Sequence, residues 1–315
     1  MNFGQKIGYA ALSSATWLLS RLPLGFHRLM GRCLYFIMFR VLKYRTDDVM
    51  MNLSRAFPKM TISELKRVRR QFYIHLGKVF AEAMWFGSCT NLRRLRKSRI
   101  VVMSNPQVLN DLYEKGKSVI VLASHSGNWE LYGGFETYGS YNGPLLIPEK
   151  DLSMVYRKQS DEVWNKFLLK NRMAPIVDKE HQDGLKETGD ILRYVCEHRN
   201  DRKLYIFIND QRPYSASPAN IEVEFMNQKT LTMSGSVKIA KKFGMAVVYS
   251  VMKPDESGDY TMDFTLLCED ATNCEIRGII DEYYRLLEND ISEIPWNYLW
   301  THKRWKNLYS YKKNK

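Results

Sequence analysis

The chain has 315 residues, 45% of them hydrophobic, which is enough for one large domain or two small ones with a full apolar core. Its formal net charge of +13 indicates an anionic partner: nucleic acid, an anionic membrane surface or an acidic protein. No nucleic-acid-binding module is recognisable in the sequence, so we expect no nucleic acid partner.

The first predicted elements are two helices over residues 5–45, separated near Arg21-Leu22-Pro23. Seven basic residues and no acidic one lie between Met1 and Thr46, mixed with large apolar side chains. This mixture is typical of helices that lie in a membrane interface. The uncharged run from Ile7 to Ser20 is shorter than the ~20 apolar residues that a transmembrane helix needs. We therefore expect a helix pair on the membrane surface, with a single short span or a signal peptide as alternatives.

The rest of the chain alternates between helical and strand-like segments. Thr61-Ile-Ser-Glu64 is a capping-box pattern that begins a long helix toward Phe86. Helices are predicted over residues 47–56, 61–86, 105–115, 130–138, 153–171, 183–198, 232–243 and 276–289. Strands are predicted over residues 118–124, 144–148, 174–177, 204–209, 245–252 and 260–268. This alternation predicts an α/β fold with a central, mostly parallel or mixed sheet flanked by helices.

Cysteine and histidine usage gives no sign of a metal site. The five cysteines are odd in number and include no Cys-x-x-Cys spacing, which argues against a disulfide framework and a zinc ribbon. The cysteines are therefore expected to be reduced and buried as small apolar side chains. The six histidines lack ligand spacing, and no Gly-rich phosphate loop occurs. We expect neither a metal nor a cofactor.

The strand predicted over 118–124 leads directly into His125-Ser-Gly-Asn-Trp-Glu130. A histidine at the carboxyl end of a strand lies where α/β proteins place their chemistry. If a helix begins near Asn128, Glu130 in its first turn can hold one ring nitrogen and leave the other free to take a proton. A buried core histidine followed by a helix-start glutamate is the alternative interpretation.

Several further motifs accompany this pattern in the same order along the chain. They are Asn52-Leu53, Ala56-Phe57-Pro58, Phe72-Tyr73-x-His75-Leu76-Gly77 with Glu82, Asp210-Gln211-Arg212-Pro213, and the segment from Trp300 to Lys306. Together with His-x4-Glu, they resemble the bacterial lipid A biosynthesis (late, acyl-carrier-protein-dependent) acyltransferases. That group is related to the glycerolipid acyltransferases, which carry His-x4-Asp. The motifs extend over about residues 40 to 306, so a chance match to one short pattern does not explain them.

The resemblance implies an enzyme that moves a fatty acyl chain from an acyl thioester to a hydroxyl of a lipid. Acyl-acyl carrier protein is the implied donor, His125 the general base, and Glu130 the carboxylate that orients it. Residues 1–45 are then membrane-associating helices, and residues 46–315 form the acyltransferase catalytic domain. Direct attack by the acceptor leaves Ser124 and Ser126 as small spacers. Amide groups at the start of the following helix are expected to stabilise the oxyanion.

Two arginines are candidate substrate-binding residues. By position, the resemblance places Arg212 on the phosphate of the acceptor, with Asp210 holding Arg212 or a backbone loop. A strand-end turn closed by Pro213 is the alternative for this motif. Arg172 follows a predicted helix and is expected either to contact an acceptor phosphate or to cap that helix. Arg157 is a weaker candidate.

The implied acceptor is a lipid A precursor, and the implied location is the cytoplasmic face of the inner membrane. However, residues 148–152 lack the Arg-Pro-x-x-Asn pattern that many lipid A enzymes carry. A lysophospholipid or an amino-acid lipid therefore stays open as the acceptor, and a non-catalytic peripheral membrane protein stays open as a further alternative. The aromatic and basic segment from Trp300 to Lys306 predicts contact with lipid headgroups or the acidic carrier protein, with a packed C-terminal helix as the alternative.

Overall fold

The computed structural model describes residues 1–90, 92–175, 184–213 and 220–305. Within these ranges the helices are α1 (Phe3–Ser20), α2 (Leu24–Phe36), α3 (Thr46–Ala56), α4 (Ile62–Phe86), α5 (Leu92–Ser98), α6 (Gln107–Glu114), α7 (Glu162–Arg172), α8 (Ile191–Glu197), α9 (Gly235–Phe243) and α10 (Ile276–Glu293). A π-helical turn over Ile37–Val41 continues α2, and a 3₁₀ helix covers Trp129–Thr137. The Thr61–Glu64 capping box at the start of α4 is formed as predicted.

The strands in the described ranges form one large sheet and one separate hairpin. They are β1 (Val101–Met103), β2 (Val119–Ala123), β3 (Gly139–Ser140), β4 (Leu152–Tyr156), β5 (Leu185–Glu187), β6 (Leu204–Ile208), β7 (Ile221–Phe225), β8 (Gln228–Thr232), β9 (Ala246–Pro254) and β10 (Tyr260–Cys268). Eight strands lie in the order β3-β1-β10-β9-β2-β6-β4-β5, and β7 pairs with β8. Only the β9–β10 pair of the large sheet is antiparallel among the described pairings. The predicted α/β fold with a mostly parallel sheet flanked by helices is confirmed.

The parallel pair β2 and β6, near the centre of the sheet, brings two distant segments to the same edge. The register pairs Val119 with Leu204 and continues to Ala123 opposite Ile208. All five residues of β2 are buried, as expected for a strand with both faces covered. Because the two strands run in the same direction, the loops that follow them leave the sheet side by side.

Apolar side chains cover both faces of this sheet. Along β2, Ile120 and Leu122 join one core cluster, whereas Val119, Val121 and Ala123 join the other. This alternation is the period-two pattern of a strand. The first cluster includes apolar residues of α8, α9 and α10, and the second includes residues of α5 and α6.

The N-terminal helix α2 packs against α4 through a close helix–helix contact. A Cβ atom at Gly77 of α4 would collide with the backbone carbonyl of Gly31 in α2, so glycine is needed where these helices meet. Arg28 of α2 also forms an ion pair with the fully buried Glu82 of α4. None of the helices in the described ranges is long and apolar enough to cross a bilayer.

Several predicted elements differ from the structure. Residues 144–148 form no strand. The helix predicted over 153–171 is divided into strand β4 and helix α7, because the apolar run that forms β4 pairs with β5 and β6. The helix predicted over 183–198 is likewise divided into β5 and α8, with residue 183 outside the described ranges. The strand predicted over 174–177 is absent at residues 174–175, and its remainder lies outside the described ranges.

The expectation of reduced, buried cysteines is wrong for part of the set. Cys268 and Cys274 form a disulfide, since β10 and the short turn after it bring two residues six positions apart together. Cys33 and Cys196 are free but exposed, and Cys89 is free and buried as expected.

Candidate active site

His125 lies two residues beyond β2, and hydrogen bonds from the C-terminal part of the chain fix its backbone. The amide of Leu299 donates to the His125 carbonyl at 3.1 Å. Two residues earlier, at the end of β2, the carbonyl of Ala123 accepts a hydrogen bond from the Tyr283 hydroxyl at 2.9 Å. The imidazole also meets the Trp129 ring edge to face, with centroids 5.2 Å apart. The ring therefore has a defined position at the sheet edge.

The carboxylate that contacts the ring is Asp210. Its Oδ1 lies 2.7 Å from His125 Nδ1, and the side chain is only 1% exposed. Burial raises the pKa of this carboxyl, but the attraction of His125 and of Arg304 outweighs it and holds the pKa below its usual value. An ionised Asp210 accepts a hydrogen bond from Nδ1–H, which leaves Nε2 of the neutral ring as the proton acceptor.

Arg304 holds the backbone of Asp210 from the buried side. Its guanidinium donates to the Asp210 carbonyl and, at 2.7 Å, to the Tyr284 hydroxyl. Burial opposes the charge of Arg304, yet nearby phenol oxygens and Asp210 keep its pKa above the usual value. The segment from Trp300 to Arg304 therefore supports the site from inside. Both Trp300 and Trp305 are buried, so the packed alternative holds for them, although the segment is not helical.

Glu130 does not make the contact with His125 that the sequence predicts. Both of its carboxylate oxygens accept hydrogen bonds from Arg172, at 2.7 and 2.8 Å, in the bidentate geometry that favours an arginine–carboxylate pair. Burial raises the pKa of Glu130, but Arg172 more than compensates and the pKa stays low. The physical reason for the difference is that Glu130 lies in a 3₁₀ helix against the last residue of α7, whereas Asp210 reaches the ring from the neighbouring strand.

The loop between His125 and Glu130 is tightly held at Gly127. This residue has φ +64°, and a Cβ atom would lie 2.6 Å from the Met252 carbonyl oxygen. Its carbonyl accepts a hydrogen bond from His75 Nε2 at 3.0 Å. Burial lowers the pKa of His75 to about 3, so this ring is a neutral donor. His75, which the sequence offered as part of a family motif, therefore positions the histidine loop.

A second buried network holds Asn128, the next residue of the loop. Asn128 Nδ2 donates to Glu82 at 3.1 Å, and the Tyr260 hydroxyl donates to the same carboxylate at 2.9 Å. Lys78 and Arg28 form ion pairs with Glu82. The motif residues from His75 to Glu82 thus connect α4 to the loop that carries His125.

A cavity of about 650 Å³ opens at His125. Apolar side chains from β4, α8 and β6, including Met154, Ile191 and Phe207, cover one part of its wall. Five cationic residues also line it: Arg157, Arg172, Arg212, Lys238 and Lys242. No Asp or Glu belongs to its described lining. A cavity with these walls suits a ligand that combines an apolar chain with negative charge.

The structure brings all five predicted site residues to one place, but Asp210 and Glu130 make contacts other than the expected ones. His125, Arg172 and Arg212 line the cavity. Asp210 lies behind His125 and contacts the ring, where it was expected to hold Arg212 or a backbone loop. Glu130 lies behind Arg172. Among the described residues, no group of three or more His, Cys, Asp or Glu side chains is placed to hold a metal ion.

Sequence reasoning assigned no role to Gln211, although it quoted the motif that contains it. Arg304 was expected, with the rest of the segment from Trp300 to Lys306, to meet lipid headgroups or the carrier protein. The structure instead buries Arg304, where it donates to the Asp210 carbonyl. Gln211 Nε2 lies 3.1 Å from His125 Nε2, the nitrogen opposite to the one that Asp210 contacts. Ser124 and Ser126 bond to each other at 3.0 Å and are buried away from the cavity, as small spacers would be.

The amides expected to stabilise an oxyanion are already bonded within the protein. The Gly127 amide donates to the Asn297 backbone carbonyl at 3.1 Å and to its side-chain oxygen at 3.2 Å. The Asn128 amide faces the sulfur of Met252 at 3.3 Å. These two amides, which precede the 3₁₀ helix at Trp129, are therefore engaged within the protein, and the prediction that the start of this helix stabilises an oxyanion stays a prediction.

Comparison with known proteins gives the class. The family model described as bacterial lipid A biosynthesis acyltransferase matches residues 6–307. This match covers almost the whole chain, and the chain belongs to that family, which indicates an acyltransferase. A search of the curated proteins found no significant match.

Proposed function

We propose that this protein is a membrane-associated acyltransferase that moves a fatty acyl chain from acyl-acyl carrier protein to a hydroxyl of a lipid A precursor. The observation that carries the proposal is His125, held at Nδ1 by Asp210 and facing a partly apolar, cationic cavity.

The His125–Asp210 dyad supplies the general base that acyl transfer to a hydroxyl needs. A hydroxyl is a weak nucleophile at neutral pH, so a base must take its proton as the oxygen attacks the thioester carbonyl. His125 Nε2 is that base. Asp210 keeps the ring in the correct tautomer and stabilises the imidazolium that forms, as the acid does in a Ser-His-Asp triad. The imidazolium then returns the proton to the departing thiolate.

The charge of the cavity supports the choice of substrates. Five cationic residues and no carboxylate in the described lining favour a phosphorylated acceptor, and the formal charge of +13 favours an acidic carrier protein as donor. Arg212 is the proposed contact of the acceptor phosphate. Arg172 is tied to Glu130, and we propose that it faces the same phosphate with its outer edge.

The N-terminal helices support a location on the cytoplasmic face of the inner membrane. They expose large apolar residues: Phe3, Ile7, Trp17, Leu18, Phe26, Leu29 and Phe36. Basic side chains accompany them, and no acidic residue occurs before Asp47. An apolar surface surrounded by positive charge binds an anionic bilayer by burial and attraction together.

The test is acyl transfer from labelled acyl-acyl carrier protein, measured with three acceptors: a lipid A precursor, a lysophospholipid and an amino-acid lipid. We expect acylation of the lipid A precursor, and a loss of at least about 10³-fold in His125→Ala. His198→Ala is the matched control, because His198 pairs with Asp201 on the surface and lies outside the cavity.

Each result has a defined meaning. Transfer to one of the other two acceptors alone would overturn the acceptor and keep the reaction class. Vesicle binding without transfer to any acceptor would favour a non-catalytic peripheral membrane protein. Near-normal turnover in His125→Ala would overturn the mechanism.

A further inference from the structure

The base nitrogen of His125 is not open in this structure. Nδ1 is committed to Asp210, so Nε2 is the nitrogen that takes the acceptor's proton, and Gln211 Nε2 lies 3.1 Å from it. Since that ring nitrogen carries a lone pair, the carboxamide of Gln211 is the donor. The Gln211 amide therefore occupies the position to which the acceptor hydroxyl must come, and it must move aside as the acceptor binds.

When the acceptor hydroxyl displaces the Gln211 amide from His125 Nε2, the amide stays next to the carbonyl carbon that reacts. The attacking oxygen and the carbonyl oxygen of the thioester become bonded to the same carbon in the tetrahedral intermediate, so both lie close to His125 Nε2. The backbone amides of Gly127 and Asn128 are engaged with Asn297 and Met252. The guanidinium of Arg172 is engaged with both oxygens of Glu130. Among the described residues, Gln211 makes its side-chain hydrogen bond only to His125.

We propose that Gln211 is a further catalytic residue, whose side-chain N–H donates to the thioester oxygen as that oxygen becomes negative. This proposal rests on the proposed function. The acceptor O–H gives its proton to His125 Nε2 while its oxygen forms a bond to the carbonyl carbon, and the C=O electron pair moves to the oxygen beside Gln211. When the C=O bond re-forms, the C–S bond breaks, and the thiolate takes the proton back from His125.

The test compares Gln211→Leu with the wild type under acyl transfer at saturating donor. Leucine keeps a similar volume and removes the donor. We expect kcat to fall by about 10²–10³-fold, with the KM for the acceptor within about twofold of the wild type. Gln211→Asn keeps a donor on a shorter side chain, and we expect it to regain part of this loss. Gln107→Leu on α6 is the matched control, because Gln107 is exposed and lies outside the cavity.

A second measurement separates catalysis from structure. A trifluoromethyl ketone analogue of the acyl donor forms a tetrahedral hydrate or adduct, whereas the corresponding methyl ketone stays planar. We expect Gln211→Leu to weaken binding of the fluorinated analogue by at least about tenfold and binding of the planar ketone by less than about twofold. Equal weakening of both would overturn the proposal, because a structural role predicts that result.

The outcomes distinguish this proposal from the one on which it rests. A wild type without acyl transfer would overturn both. A wild type that transfers acyl chains, together with Gln211→Leu at more than one-third of the wild-type kcat, would overturn the role of Gln211 alone. A gain in kcat/KM in Gln211→Leu would also overturn it, since the carboxamide would then only obstruct the base.

Discussion

His125 and Asp210 are 85 positions apart in the chain, yet Nδ1 and Oδ1 lie 2.7 Å from each other. The cause is the register of two parallel strands. Ala123 of β2 lies opposite Ile208 of β6, and each catalytic candidate follows two residues later. The histidine and its carboxylate therefore continue the register of the sheet beyond its last paired residues.

The first prediction distinguishes the roles of the two carboxylates near His125, those of Asp210 and Glu130. We expect Asp210→Asn to lower kcat by about 10³–10⁴-fold, because an amide no longer selects the Nδ1–H tautomer or stabilises the imidazolium. Glu130→Gln is the matched change at the other carboxylate. It leaves the ring contact intact and weakens the bond to Arg172, so we expect a smaller loss, mainly in the KM for the acceptor. Steady-state kinetics with varied acceptor measure both.

Thermal unfolding of the two variants provides the control for folding. If Glu130→Gln lowered kcat as severely as Asp210→Asn with an unchanged KM, the partner of His125 during turnover would be Glu130 and not Asp210.

The sequence indicated both ends of this dyad but not that they meet. The strands over 118–124 and 204–209 were predicted from their apolar runs, and polar motifs were recognised after each. Strand order, however, depends on which pairs of strands pack together, and a single sequence carries no local sign of it. Glu130 was selected because it is near His125 in the chain, whereas the structure supplies the carboxylate from a neighbouring strand.

The differences between the predicted and the observed secondary structure have a related cause. Residues 152–156 form β4, which lies between β6 and β5 and is stabilised by pairing on both sides. A run this short also fits the apolar face of a helix, and a long helix was predicted there. The 3₁₀ helix after His125 similarly replaced the expected α-helix. In both places, tertiary packing decided between structures that local pattern permits.

A second prediction concerns the glycine of the histidine loop. Gly127 and Gly116 both have positive φ, but a Cβ atom at Gly127 would meet Met252, whereas one at Gly116 meets nothing within 4 Å. Gly116→Ala therefore reports the backbone penalty alone, about 1–2 kcal/mol of unfolding free energy. Gly127→Ala adds a backbone collision, and we expect a total loss of at least about 3 kcal/mol and a strong decrease in kcat. Urea unfolding and turnover measure these effects; equal destabilisation in the two variants would contradict the close contact.

A third prediction is the pH dependence of stability that His75 produces. Burial lowers its folded-state pKa from 6.5 to about 3. Below 6.5 the unfolded chain binds a proton that the folded chain does not, so stability falls as the pH falls toward 3. Between about pH 7.5 and pH 5 this one group removes about 2 kcal/mol of the unfolding free energy.

His75→Gln isolates this contribution, since glutamine can still donate to the Gly127 carbonyl and does not titrate. We expect the variant to be less stable than the wild type at neutral pH and the difference to shrink by about 2 kcal/mol at about pH 5. His302, whose pKa burial lowers to about 4, titrates in both proteins and cancels in the comparison. A difference that stays constant across this range would show that His75 takes up its proton without unfolding.

The last prediction tests the proposed membrane-binding surface with two exposed leucines. Leu18 on α1 is 66% exposed, and Leu266, which lies on β10 and outside the N-terminal helices, is 44% exposed. Leu18→Glu places a negative charge in the surface that we propose to bury in the bilayer, so it opposes both burial and attraction to anionic lipid. We expect at least about tenfold weaker binding to anionic vesicles in a sedimentation assay. Leu266→Glu makes the same chemical change elsewhere and should bind like the wild type; if both variants bound equally well, the apolar surface of α1 would not be the contact with the membrane.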